Sequence, residues 1–168
     1  MYQYVTYLLN KKEVDVYLVF DRHFEYSIKG ATREKRARNI SNNHLLTIHS
    51  PLPSREIIMT SSKNKIRLID IVAQYITQTL SVYYCRKKFV VTFSEPQPVQ
   101  VEECFIMPRE DLKSYHEEAD VNIIRQFLHC VNEGKMSIKV ICDGTDVFLL
   151  LTAYVSKNSI KSSGIFFK

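Results

Sequence analysis

Short β-branched and aromatic runs alternate along this chain with longer stretches in which apolar residues recur every three to four positions. Residues 1–10 place Val5, Leu8 and Leu9 on one helical face. Residues 14–20 are almost wholly apolar after Asp15 and predict a buried strand; residues 56–59 predict a further short one. The longest helix is expected from a cap at Ser61 or Ser62 to about Leu80, with Ile66, Ile69, Val72 or Ala73, Ile76 and Leu80 as its stripe. Residues 89–93 predict a second buried strand, and residues 99–107 a hairpin ended by Pro108. A helix then carries Ala119, Val121, Ile123, Ile124, Phe127, Leu128 and Val131 on its apolar side, and Asn132 and Gly134 close it. Residues 138–142 predict a strand, a helix starts at Thr145 or Asp146 and runs through Tyr154, and residues 165–167 predict a last strand. Strands that alternate with helices imply an α/β fold with a largely parallel sheet.

Carboxylates fall at the ends of these elements. Asp21 follows the strand at 14–20, where open α/β sheets place ligands; a turn or capping Asp is the alternative. Glu117, Glu118 and Asp120 open the helix near 116–132, and Asp143 and Asp146 follow the strand at 138–142. If the strands at 14–20 and 138–142 are parallel near neighbours, these acids emerge at one sheet edge. Carboxylates that converge do not all stay ionised without a cation, and oxygen ligands select Mg²⁺ or Mn²⁺. Two such ions, roughly 3.5–4 Å apart, activate water and steady the leaving oxygen of a phosphodiester. After Asp21 come six cations, Arg22, Lys29, Arg33, Lys35, Arg36 and Arg38, against only Glu25 and Glu34. Clustered guanidinium groups suit phosphate contact, and a solvated basic helix or a nuclear-import-like run is the alternative.

The 168 residues suffice for one domain with a core, and the apolar fraction of 45% is that of a globular chain. Four glycines leave no Gly-rich phosphate loop, so no nucleotide cofactor is expected. The net charge of +5 permits a polyanionic partner without requiring one. Cys85, Cys104, Cys130 and Cys142 form no C-x-x-C and no zinc-finger spacing, so zinc is not expected and the thiols are read as reduced. No signal peptide or membrane-length apolar run is seen. The expected setting is intracellular, the nucleus ahead of the cytoplasm, with no membrane partner.

Five runs carry a resemblance: Val-Phe-Asp-Arg-His, Ser-Ile-Lys-Gly-Ala-Thr-Arg, Asn-Lys-Ile-Arg-Leu-Ile-Asp, His-Glu-Glu-Ala-Asp-Val and Cys-Asp-Gly-Thr-Asp-Val-Phe. In this order and spacing the chain resembles the PIN-like nuclease superfamily, nearest its flap-endonuclease/XPG branch. More narrowly, it is similar to a group of metazoan proteins of transposon-associated appearance. The resemblance implies a single three-layer PIN-like domain over residues 1–168, with its core at about 14–155. A mostly parallel central sheet would be flanked by helices, truncated at both ends relative to the family. It implies a divalent-metal-dependent nuclease acting on DNA or RNA, with Asp21, Glu118, Asp120 and Asp146 catalytic. The metal ligands would be these four with Glu117 and Asp143, and Lys29 and Arg36 would lie near the scissile phosphate.

Departures from the family qualify this. Gly144 stands where the family has a metal-binding Asp. The family's first strand would precede Met1, and its downstream helical region has no counterpart here. The alternatives are therefore a catalytically inactive nucleic-acid-binding or scaffold module, or a decayed transposon-derived product. A sheet edge left bare by the missing strand would also invite self-association.

Overall fold

The computed structural model describes residues 2–10, 15–22, 44–83, 88–142, 144–158 and 165–166. The chain divides into two compact units, Met1–Glu117 and Glu118–Lys168.

The first unit opens with helix α1 (Tyr2–Asn10) and strand β1 (Val16–Val19). Two helices follow, α2 (Arg55–Thr60) and α3 (Ser62–Tyr83). Strands β2 (Phe89–Thr92), β3 (Val99–Glu102) and β4 (Phe105–Pro108) and a 3₁₀ turn (Glu110–Leu112) complete it. The sheet order is β1-β2-β3-β4, with β1 parallel to β2 and the other pairs antiparallel. The fold is thus α/β with a mixed four-stranded sheet.

The core follows from alternation along each strand. Val16 and Leu18, Phe89, Val91 and Phe93, and Val99 and Val101 pack with Val5 and Leu8 of α1 and with Val72, Ala73, Ile76 and Leu80 of α3. The cap of α3 is Ser61, whose Oγ accepts from the Asn64 N–H (3.4 Å). Asn64, in the first turn of α3, is buried, and its Oδ1 accepts from the His44 N–H at 3.0 Å.

Three expectations are corrected here. Residues 56–59 form helix, not strand: Ser54 accepts from the Ile57 N–H, and one capped turn commits the short apolar run to helix. The strand at 14–20 has β2 as its sheet neighbour, while residues 138–139 pair with residues 165–166 in a separate two-stranded sheet. Third, Cys104 is disulfide-bonded, whereas Cys130 and Cys142 are free thiols. The position of Cys104 explains its availability. It lies exposed in the two-residue turn between β3 and β4, where Glu103 (φ 50°) and Cys104 (φ 66°) are both left-handed.

The second unit holds α4 (Ala119–Asn132), β5 (Ile138–Lys139), α5 (Thr145–Asn158) and β6 (Ile165–Phe166), with β5 parallel to β6. Ile124 and Phe127 of α4 meet Val140, Val147 and Leu151, and Ile123, Leu128, Val131 and Val155 surround them. Gly134, at φ 75°, lets the chain leave α4: the Lys135 N–H reaches back to the Cys130 carbonyl (3.0 Å) and the Gly134 N–H to Val131 (3.0 Å). Among the described residues, no helix is long and apolar enough to cross a membrane.

Candidate acidic site

The parallel pairing of Val19 with Thr92 brings the C-terminal ends of β1 and β2 to one edge of the sheet. The ladder continues one residue further, with the Phe20 N–H bonded to the Thr92 carbonyl (3.0 Å). Asp21 follows immediately and is exposed. Beyond it, the Arg22 N–H donates to the Glu117 carbonyl at 2.7 Å, so the segment carrying Asp21 runs beside Glu117. Oε1 of Glu117 is buried and has no hydrogen-bond partner. A buried carboxylate oxygen in that state retains unused acceptor capacity.

At the end of β2, the Ser94 hydroxyl donates to Oδ1 of Asp70, a half-buried acid on α3. Sequence reasoning did not single out Asp70 as a site residue. The available signal was an acid set within an otherwise apolar helical stretch, Leu68 to Val72.

In the second unit the acids sit at helix starts. Glu118 is the residue before α4, with extended backbone (φ −78°, ψ 132°), and its side chain makes no capping bond to the helix. Asp120 lies in the first turn of α4 and Asp146 in the first turn of α5, where a negative charge complements the helix dipole. A Cβ built on Gly144 would lie 3.9 Å from Oδ1 of Asp120. The turn before α5 therefore adjoins the start of α4. Asp143 lies outside the described residues. Among the described residues, no three of His, Cys, Asp and Glu assemble as a metal-holding group.

The basic strip divides differently from expectation. Lys29, Arg33, Lys35, Arg36 and Arg38 lie outside the described residues. Arg22 is described, and it is not available to nucleic acid: it is 1% exposed. Its Nε donates to the Phe93 carbonyl (2.9 Å), Nη2 to the Pro96 carbonyl (3.0 Å) and Nη1 to the Ser114 carbonyl. The fork geometry that suits phosphate suits three converging carbonyls equally well. Arg22 thus pins the loop after β2 to the segment before Glu117.

No family model, curated protein or solved structure matches the chain.

Proposed function

We propose that this chain is a nuclease-like domain of the PIN-like type, a divalent-metal-dependent phosphodiester hydrolase that takes DNA or RNA. The observation that carries the reading is the unpartnered, buried Oε1 of Glu117, a residue whose backbone carbonyl is bonded by the N–H of Arg22, next in sequence to Asp21, just past the C-terminal end of a parallel strand pair. In this reading Asp21 and Glu117 are the first unit's acids for an oxygen-seeking cation, and Glu118, Asp120 and Asp146 are the acids that the second unit contributes to the resemblance. A bound Mg²⁺ or Mn²⁺ would supply an activated water and neutralise charge on the phosphate. Asp21 and Glu117 would hold it; the basic residues after Asp21 would retain the strand. The three-layer PIN-like architecture belongs to the same proposal, supported by two crossovers that each join parallel strands, β1 to β2 and β5 to β6.

One observation favours a second reading, a nucleic-acid-binding module without hydrolysis. Position 144 is glycine, and the space facing Asp120 holds no second carboxylate from it. Such a module would bind nucleic acid with a steep salt dependence that a chelator leaves unchanged.

The experiment is a Mn²⁺ titration of thermal stability on the full chain, on Glu117→Gln and on Asp146→Asn, followed by cleavage assays on single-stranded and flapped DNA. Metal that binds only the folded state raises the melting temperature, and both substitutions reduce that rise. A folded chain whose melting temperature ignores millimolar Mn²⁺ would leave the second reading in place.

A further inference from the structure

The two outer strands of the four-stranded sheet, β1 and β4, differ in cover. Strand β1 is buried or half-buried along its length, whereas every residue of β4 is exposed. Phe105 is 67% exposed, Ile106 49% and Met107 40%. Large apolar side chains exposed in succession mark interaction surfaces. Native sheet edges are ordinarily blunted by a lysine, an inward charge, a bulge or a proline. Strand β4 carries no charge, its register with β3 is unbroken, and its one proline stands at its end.

The backbone of β4 is open as well. The Arg109 N–H bonds the Pro98 carbonyl (2.8 Å), which marks one hydrogen-bonded pair of the β3–β4 ladder. Such pairs alternate with non-bonded ones along an antiparallel ladder. The register Val99–Pro108, Gln100–Met107, Val101–Ile106 and Glu102–Phe105 therefore turns the backbone groups of Phe105 and Met107 toward β3. The N–H and carbonyl of Ile106 point the other way, where no strand lies among the described residues. Pro108 also falls at an outward position, so its missing N–H costs the ladder no bond.

We propose that this edge pairs with the β4 edge of a second copy of the chain, antiparallel and centred on Ile106. A two-fold axis then passes between the two Ile106 residues, which exchange N–H to carbonyl bonds in both directions. Phe105 of each copy lies opposite Met107 of the other, so apolar meets apolar across the axis. Charge sets the orientation. The nearest charges beyond the strand are opposite in sign, Glu103 at one end and Arg109 at the other. Antiparallel pairing sets Glu103 level with Arg109 of the second copy, and parallel pairing would set each level with its own kind. Arg109 already pairs with Asp111 (2.6 Å), so this contact selects orientation more than it adds affinity. A second copy thus supplies what the edge selects: an uncharged extended segment, apolar on both faces, with unlike charges at its ends. Such a contact closes on itself and gives a dimer, not a filament. Four residues span about 13 Å, so the contact is at the low end of specific interfaces, under about 1,200 Å², and the dimer is weak. It lies at the opposite edge of the sheet from β1 and Asp21 and needs neither the acidic site nor metal.

The test is sedimentation velocity of the full chain in EDTA from about 5 µM to about 500 µM, the window in which a weak contact fills. The weight-average mass should rise from one copy toward two. Non-reducing SDS electrophoresis should show one copy, whereas a dimer that persists there and yields to thiol assigns the association to cysteine and overturns the proposal. Ile106→Lys and Ile106→Glu each set like charges opposite one another across the axis and should weaken association about tenfold or more. An equimolar mixture of the two sets an ammonium opposite a carboxylate and should restore it, which a merely structural role for Ile106 would not do. Phe105→Lys, at a side chain 67% exposed, places the charge that native edges use and should also give a monomer. Circular dichroism melting confirms that each variant is folded. A folded native chain that stays at one copy throughout, a dimer that Phe105→Lys and the Ile106 variants leave intact, or a mixture that does not reassociate overturns the proposal.

Discussion

Replacing Arg22 with methionine keeps much of the side chain's length and removes its three donors. In the native protein those donors satisfy the carbonyls of Phe93, Pro96 and Ser114 in a site with 1% exposure. A hydrogen bond to a charged group contributes about 1.5–3 kcal/mol, so three give a gross loss of roughly 4–9 kcal/mol. Methionine also relieves the desolvation of a buried cation, which offsets part of that. The expected net destabilisation is about 3–5 kcal/mol, or roughly 10–15 °C in melting temperature for a chain of this length. Arg22→Lys should fare little better, because an ammonium cannot reach three carbonyls in the plane of a guanidinium. Thermal denaturation followed by circular dichroism measures this directly, with DNA retention on a heparin-like or oligonucleotide column as the parallel readout. Both variants should lose much of the native chain's stability. If both melt like the native chain and Arg22→Met alone loses DNA affinity, then the guanidinium serves nucleic acid and the clamp is refuted.

Gly144→Asp places a carboxylate where a Cβ has ordinary contact distance to Asp120, and the backbone there is not left-handed, so the change is sterically open. In EDTA the new charge should cost about 1 kcal/mol beside Asp120. In Mn²⁺ at about 100 times the dissociation constant it should gain about 2.7 kcal/mol, so the sign of the melting shift reverses with metal. A loss in both buffers would end the reading of position 144 as metal-facing. Glu103→Gly relieves one left-handed L-residue in the β3–β4 turn and should stabilise the chain by about 0.5–1 kcal/mol in urea denaturation. The Glu56 carboxyl is held below the usual carboxylate range, first by a backbone hydrogen bond and then by Ser54. Its contribution to α2 is present above the ordinary carboxylate pKa of about 4.3 and is lost as the pH falls through the lowered value. A carboxyl NMR titration should find that lowered value, and Ser54→Ala should move it back up.

Most elements were legible because each is dictated locally. The runs Val16–Val19 and Phe89–Thr92 have few ways to bury β-branched and aromatic side chains other than as strands. The stripe of α3 and the Gly134 stop of α4 are likewise written in spacing and in one backbone conformation. Pairing is different, because which strand lies beside β1 depends on residues far apart. Convergence of the acids was conditional on residues 138–142 lying near the first strand, whereas β2 is the neighbour of β1. Burial of polar groups was the other blind spot. Arg22 looked like the start of a basic strip, since nothing near it in sequence reveals three carbonyls from residues 93–114. Asn122 and Gln126 lie on the buried side of α4 for a similar reason: the Asn122 side chain bonds the Glu118 carbonyl (3.0 Å), which makes its burial tolerable. Glu118, Asp120 and Asp146 do stand at helix starts, but the orphaned oxygen of Glu117 is a property of packing alone.

The parallel register of β1 has a consequence for the order of assembly. Strands β2, β3 and β4 meet through tight connections, whereas Val16 must find Phe89 across roughly 70 residues of chain. Loop-closure entropy grows by about 0.6 kcal/mol per doubling of length, so the meander forms at a lower entropic cost than the β1–β2 pair. Strand β1 is then the last to dock, and it brings Asp21 and Arg22 with it. The amides of β1 should exchange with solvent through openings that leave the meander intact, and in each such opening the Arg22 clamp is released. The segment carrying Asp21 is therefore brought to Glu117, and released from it, together with β1, which ties that juxtaposition to a partial unfolding event.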